Sequence, residues 1–220
     1  MSRLQIGVLI FLGTSFGILA YLASHYPYLP PDLEISHWMQ SFDGYLLPLM
    51  RAVSLISSRI PAIIIVVVTA IWLGRSGRRL EAIITGAATG ILSLAVVPAF
   101  KVLVDRPRPS PELVQVMTPV ENASFPSGHT AYVLLFYGFL CYLLPRLTRN
   151  RAAVNTLRTL LATLIGLTAA SRIYLGAHWF SDVAGSLTLG GLVLLSAIII
   201  YCYCLPKFSR REEDAGATGS

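Results

Sequence analysis

Three observations predict an all-α, polytopic membrane protein with six transmembrane helices in one bundle. Hydrophobic residues fill 55% of the 220 positions and charged residues 13%, far from the balance of a typical soluble domain. The apolar residues come in long runs rather than in the amphipathic pattern of a soluble core. Six such runs can be traced, each close to the ~20 residues a helix needs to cross the hydrocarbon core. The length suits one domain. We place it at residues 1–208, followed by a polar tail at 209–220 that is expected to be disordered and cytoplasmic.

The first run, Leu4–Ser24, is too long for the apolar core of a cleaved signal and lacks a small-x-small site, so it reads as a span. The second, Leu55–Leu73, carries Arg59 and Pro61 in its first turns. Arginine can snorkel to the interface there, and proline is tolerated near a helix start. Leu80–Val104 runs into Pro107 and Pro109, and Phe125–Leu144 opens on Pro126-Ser127-Gly128. Leu157–Leu175 and Val183–Leu205 complete the set. Between the first two runs, the segment 27–54 holds Trp38, Phe42 and Tyr45. Aromatic residues favour the membrane–water boundary, so its middle is read as a short interfacial helix. His25 and His37 are likewise read as interfacial. Cys141, Cys202 and Cys204 form neither a disulfide framework nor a zinc spacing.

Counting Lys and Arg sets the orientation. With both termini and the second and fourth connections between spans on one side, that side holds eleven of the 17 cations and the other six. The positive-inside rule puts the richer side, and both termini, in the cytoplasm of a multi-pass cell membrane (plasma or inner). The net charge of +6 fits this asymmetry and an anionic ligand. Nucleic acid is excluded as a partner, since no basic run is interleaved with aromatic residues.

Three polar clusters interrupt the oil, all on the non-cytoplasmic side. Lys101 ends the third run and Arg108 follows it; Pro107 and Pro109 stop the helix and favour a rigid turn that bends Arg108 back toward Lys101. Lysine offers phosphate a point charge and arginine a planar fork. Pro126-Ser127-Gly128-His129 opens the fourth run, where free N–H groups and the helix dipole favour an anion. Ser127 can cap the helix or bond an oxygen, Gly128 allows close backbone approach, and His129 can donate a proton. Arg172 brings a third cation, followed by His178 and Asp182. These last two are four apart, so on a helix they share one face, and an imidazole held by a carboxylate has one nitrogen left to act as nucleophile or base. Arg106 offers a fourth phosphate contact or a partner for headgroups, and Asp105 reads as a helix-end residue. Trp179 and Phe180 flank His178, as the lining of a lipid path or as interfacial anchors.

The patterns K-x6-R-P, P-S-G-H and S-R-x5-H-x3-D, in this order from Lys101 to Asp182, resemble the three signature motifs of the type 2 phosphatidic acid phosphatase family at every motif position. The resemblance implies an integral membrane lipid phosphatase acting on phosphatidylglycerol phosphate, phosphatidic acid or undecaprenyl pyrophosphate. It implies His178 as the nucleophile that forms a phosphohistidine, Asp182 as its orienting partner and His129 as the proton donor. Lys101, Arg108 and Arg172, with Ser127 and the Gly128 N–H, would bind the phosphoryl oxygens. Three fixed cations make a metal or other cofactor unnecessary, and the expected partners are the lipid phosphate and the bilayer, with no obligate protein partner. The site would face the periplasm or exterior. Two alternatives stay open: a lipid phosphotransferase using the same site, and a non-catalytic lipid-binding membrane protein.

Overall fold

The computed structural model describes residues 2–42 and 44–217, with side chains through residue 208. Among the described residues the secondary structure is helical throughout. The helices are α1 (Arg3–His25), α2 (Pro30–Gln40), α3 (Leu47–Ile56), α4 (Arg59–Arg75), α5 (Arg79–Ile91), α6 (Val97–Val104), α7 (Gly128–Leu147), α8 (Arg151–Tyr174) and α9 (Phe180–Ala217). A 3-10 turn at Gly44–Leu46 precedes α3.

Five helical runs are long and apolar enough to cross a membrane: α1, the run Arg79–Val104, α7, α8 and the stretch Phe180–Phe208 of α9. The second span expected from the sequence is less simple. The chain from Gly44 to Ile56 and helix α4 pass the same test only as a pair bent by 53°, which makes five or six spans according to how that pair is counted. Within Arg79–Val104 a π turn at Leu92–Val96 joins α5 to α6. Pro98, in the first turn of α6, has no N–H to continue an α-helical ladder, and a wider local turn accommodates such a gap.

The helix limits differ from the apolar runs where polar residues make the first turns. Helix α8 starts at Arg151, six residues before the apolar run, because Asn150 caps it by accepting from the Ala153 N–H at 3.1 Å. Helix α7 starts at Gly128, capped by Ser127. The segment 27–54 forms two helices, α2 and α3, where the sequence predicts one. At the other end, α9 continues as helical backbone to Ala217, past the expected start of the tail. The side chains of that tail, and residues 218–220, lie outside the described residues.

Helix α7 is the centre of the bundle. Its Ala131, Leu135, Phe139 and Leu143 are buried together with Phe16 of α1, Leu92 and Val97 beside the π turn, and Leu189 and Tyr201 of α9. Close approach of α7 and α9 depends on missing side chains, as is common between membrane helices. A Cβ at Gly138 would lie 2.6 Å from Leu194, and one at Gly190 3.0 Å from Ala131 O. The outward faces carry exposed Ile10, Phe11, Ile64, Val68, Val102, Leu103 and Leu160, the surface a bilayer would cover.

Candidate active site

The three polar clusters meet at one end of the bundle, and local structure explains how. Helix α6 ends at Asp105, whose left-handed backbone (φ 44°) turns the chain out of the helix. The loop to residue 127 then folds back, held where the Ser124 N–H donates to Arg106 O at 2.8 Å. Lys101 and Arg108 converge on this return strand of the loop. The Lys101 ammonium donates to Ala123 O, and Arg108 donates through Nε to Asn122 O at 2.6 Å and through Nη2 to Asn122 Oδ1 at 2.6 Å. The expected turn of Arg108 back toward Lys101 is therefore present.

Helix α8 delivers Arg172 in its last turn. Beyond it, Gly176 adopts φ +63°, and a Cβ there would lie 2.2 Å from Gln115 O, so only glycine fits. The Ala177 and His178 N–H groups both donate back to Arg172 O at 3.1 Å. This turn fixes His178 next to Arg172.

His178 lies before α9, not on it, so shared helix-face spacing does not explain its meeting with Asp182. Asp182 is the third residue of α9, and its carboxylate folds back over the helix start, accepting from the Trp179 N–H at 2.9 Å. That is the carboxylate half of a capping box. The same atom, Oδ2, faces His178 Nδ1 at 3.5 Å and accepts from the Ser124 hydroxyl, which itself lies 3.4 Å from Nδ1. Asp182 is thus both a cap and the partner of the imidazole.

On the other edge of the ring, His178 Nε2 lies 3.2 Å from Arg108 Nη1. Partners assign the tautomer: Nδ1 carries the proton toward Asp182 and Ser124, and Nε2 presents a lone pair toward Arg108. Burial pushes the His178 imidazole down to about 3; the Arg108 and Arg172 charges lower it further, while Asp182 pulls the other way. The ring is therefore neutral at ordinary pH. Burial also holds the Arg108 guanidinium below its usual value, partly opposed by Asp182, yet an arginine stays charged in proteins.

Arg172 donates through Nη1 to Ser54 on α3, and its buried Nε has no hydrogen-bond partner among the described residues. His129, half-buried at the start of α7, lies within electrostatic reach of Arg172, His178, Arg108 and Lys101. Ser127 takes the capping role of the two open to it. Its fully buried hydroxyl accepts from the Thr130 N–H at 3.5 Å and contacts Thr130 Oγ1 at 3.1 Å, and its own N–H donates to Ser186 at 2.6 Å. The structure therefore brings all eight expected site residues into one region, with Ser127 shaping the helix start.

Other residues differ from expectation. Arg106, read as a phosphate or headgroup contact, is instead buried against Asp32 (2.9 Å) and Asp182 (2.6 Å), so its charge is already matched. Trp179 is buried too, its indole N–H donating to Pro107 O at 3.2 Å, which ties the first and third clusters together. His37, read as interfacial, is exposed on α2 and bonds Leu113 O at 2.8 Å, which agrees with that reading as well as with a structural tie. Asp32, Ser54, Asn122 and Ser124 were not singled out from sequence. Each is an ordinary loop or helix residue until the fold brings it to a motif side chain, and only the Asp at the third position of a Pro-Pro helix start hinted at a cap.

A cleft of about 440 Å³ runs from this region between α4 and the α5–α6 run. Its walls include Ala62, Val66, Gly90 and Leu94, and its polar end includes Arg59, Gly128 and His129. The arrangement joins an apolar slot to a cage of cations, a neutral imidazole and a second histidine. Such parts can seat a phosphoryl group with an attached apolar tail, attack phosphorus and protonate the leaving oxygen. Among the described residues, no three His, Cys, Asp or Glu side chains are grouped to hold a metal ion.

Comparison with known proteins follows the same residues. The sequence model of the PAP2 superfamily matches residues 80–206, which hold all three clusters. Phosphatidylglycerophosphatase B of Bacillus subtilis (strain 168) is 36% identical over 74 residues, 32% of this chain. YbjG of Escherichia coli (strain K12), named as an undecaprenyl-diphosphatase, is 39% identical over 79 residues, 36% of this chain. In both cases the chain spans 35% of the relative's length. The fold is similar to the crystal structure of a transmembrane PAP2-type phosphatidylglycerolphosphate phosphatase from Bacillus subtilis. The TM-score is 0.72 at 21% identity, over 87% of this chain and 94% of that one.

Proposed function

Because the chain belongs to the PAP2 superfamily, we propose that it is an integral-membrane lipid phosphatase, removing phosphomonoester or pyrophosphate groups through a phosphohistidine on His178. The observation that carries this reading is the state of the His178 ring. It is neutral, its Nδ1–H is directed to Asp182, and its Nε2 lone pair opens on the cation that would bind the phosphoryl group.

The chemistry runs in two displacements. A phosphoryl group held by Lys101, Arg108 and Arg172 takes the place of the Arg108–His178 contact, with the N–H groups at the start of α7 on another oxygen. The Nε2 lone pair attacks phosphorus, the bond to the leaving oxygen breaks, and His129 gives that oxygen a proton. Asp182 stabilises the positive imidazole as the N–P bond forms. Water then attacks the phosphohistidine, His129 takes its proton, and the N–P bond breaks to release phosphate. The cations are preorganised where charge builds up, the usual source of the largest rate effect, so this site works without a metal.

The apolar cleft ending at His129 supports a lipid rather than a soluble phosphate ester, with the tail in the slot and the leaving oxygen at its polar end. The names of the two curated relatives suggest phosphatidylglycerol phosphate and undecaprenyl pyrophosphate, with phosphatidic acid as the simplest lipid of the same class. The cation asymmetry supports a site on the non-cytoplasmic face of the cell membrane and cytoplasmic termini. The aromatic residues of α2 and the segment after it, with Trp38 and Tyr45 exposed, support an interfacial position for this part of the chain.

The test is phosphate release by wild type and His178→Ala in EDTA, across these three lipids. Release by wild type alone supports the phosphatase, and the ranking of lipids names the substrate. Equal release by both proteins rejects it, as does strict dependence on added metal. Transfer of the label to a second lipid without free phosphate would indicate a phosphotransferase instead.

A further inference from the structure

Two aspartates occupy equivalent places in two helices. Asp32 is the third residue of α2 and Asp182 the third of α9. Each carboxylate folds back onto the N–H of a residue just before its helix, Leu29 at 2.8 Å and Trp179 at 2.9 Å. Arg106 bridges the two, with Nη2 on Asp32 Oδ2 at 2.9 Å and Nη1 on Asp182 Oδ1 at 2.6 Å. Ser181 closes the ring. Its N–H donates to Asp32 Oδ1, and its hydroxyl contacts Asp32 Oδ2 and Arg106 Nη1, all at 2.7 Å. The three charged side chains have no exposed surface.

Burying a cation between two anions adds little net stability, because desolvation offsets the attraction. What such a cluster does supply is direction. Asp182 works on His178 through Oδ2, and the orientation of Oδ2 depends on how the carboxylate is rotated. Arg106 holds the other oxygen, Oδ1, and so fixes that rotation. Arg106 is in turn fixed by Asp32 and by Tyr26 O at 3.3 Å, both from the segment between α1 and α3. None of these contacts reaches Lys101, Arg108 or Arg172.

We propose that Asp32 and Arg106 are positioning residues for His178, acting through Asp182, and that α2 thereby belongs to the reaction machinery. The proposal rests on His178 being the nucleophile. It predicts a loss in turnover without a loss in substrate binding, since the phosphate-holding cations are untouched.

The experiment compares wild type, Asp32→Asn, Arg106→Met, the double variant Asp32→Asn/Arg106→Met, Arg106→Lys and His178→Ala. Each is purified in detergent micelles and assayed with short-chain phosphatidic acid, alongside its thermal unfolding. Arg106→Met leaves two buried carboxylates without their cation and lowers the unfolding midpoint most, whereas Asp32→Asn leaves Arg106 paired with Asp182 and lowers it less. The double variant removes the charge that Arg106→Met strands on Asp32 but still leaves Asp182 without its arginine, so its midpoint recovers part of the way from that of Arg106→Met. Its kcat nevertheless stays about tenfold or more below wild type with KM within about twofold, the size expected for one lost charge-assisted hydrogen bond. Recovery of kcat together with the midpoint would mean the pair is only structural and would overturn the proposal. Arg106→Lys keeps the charge but not the two-pronged reach, and wild-type kcat in that folded variant would also overturn it. Full activity in His178→Ala would instead reject the nucleophile, a separate failure.

Discussion

His178 Nε2 and Arg108 Nη1 lie 3.2 Å apart, so the attacking nitrogen and a phosphate-binding fork share one space. Arg108→Ala should lower kcat/KM by about 100- to 1000-fold, as loss of one charge-stabilising donor does elsewhere. Arg108→Lys should recover little, because an ammonium cannot reproduce the planar fork. Steady-state kinetics on one lipid phosphate decide this: an alanine variant near wild type would place Arg108 outside the site, and a lysine variant near wild type would show that its charge alone is used.

Ser124 makes a second prediction. Its hydroxyl donates to Asp182 Oδ2, beside His178 Nδ1, and it is fully buried. Ser124→Ala should therefore reduce kcat by about tenfold, the cost of a hydrogen bond to a charged group, with KM nearly unchanged. A change confined to KM would show that Ser124 acts on the substrate instead.

The third concerns pH. Burial pushes His178 down from 6.5 to about 3, so the folded protein takes up this proton later than the unfolded chain. This group therefore favours unfolding progressively as pH falls from about 6.5 toward 3, and has no pH-dependent effect above that range. Nitrogen NMR of histidine-labelled protein, assigned by difference with His178→Gln, should show this ring neutral down to pH of about 4. A ring that titrates near its ordinary value would mean that water reaches it.

The cleft gives the fourth. A Cβ at Gly90 would meet nothing within 4 Å, and Gly90 lines the slot. Gly90→Leu should raise KM for a long-chain lipid by about 10- to 100-fold through steric crowding, and leave a water-soluble phosphate ester unaffected. Equal effects on both would remove the cleft from substrate binding.

Much of this was legible in the chain. Apolar runs located the five helices long and apolar enough to cross a membrane, and Asp105 and the prolines after it marked where α6 stops. Patterns of residue type singled out eight residues that the fold brings into one region. What the sequence could not carry were relations created by folding. Hydropathy misplaced the start of α8 because its first turns are polar, and its expected span Leu55–Leu73 covers most of α4 but only the end of α3, the helix to which α4 is joined at a 53° bend. The spacing of His178 and Asp182 suggested a shared helix face, whereas a carboxylate folding back over a helix start makes the contact. Arg106 looked free for phosphate only because its partner Asp32 lies in another helix.

The most direct test of the phosphohistidine is to trap it. Brief mixing of enzyme with lipid carrying a radiolabelled terminal phosphate, followed by alkaline denaturation, should leave label on the protein. The label should be stable in base, lost in acid, located by peptide mapping at His178 and missing in His178→Ala. Label at another residue, or full turnover with no covalent label in wild type on the quench time scale, would contradict His178 as the nucleophile.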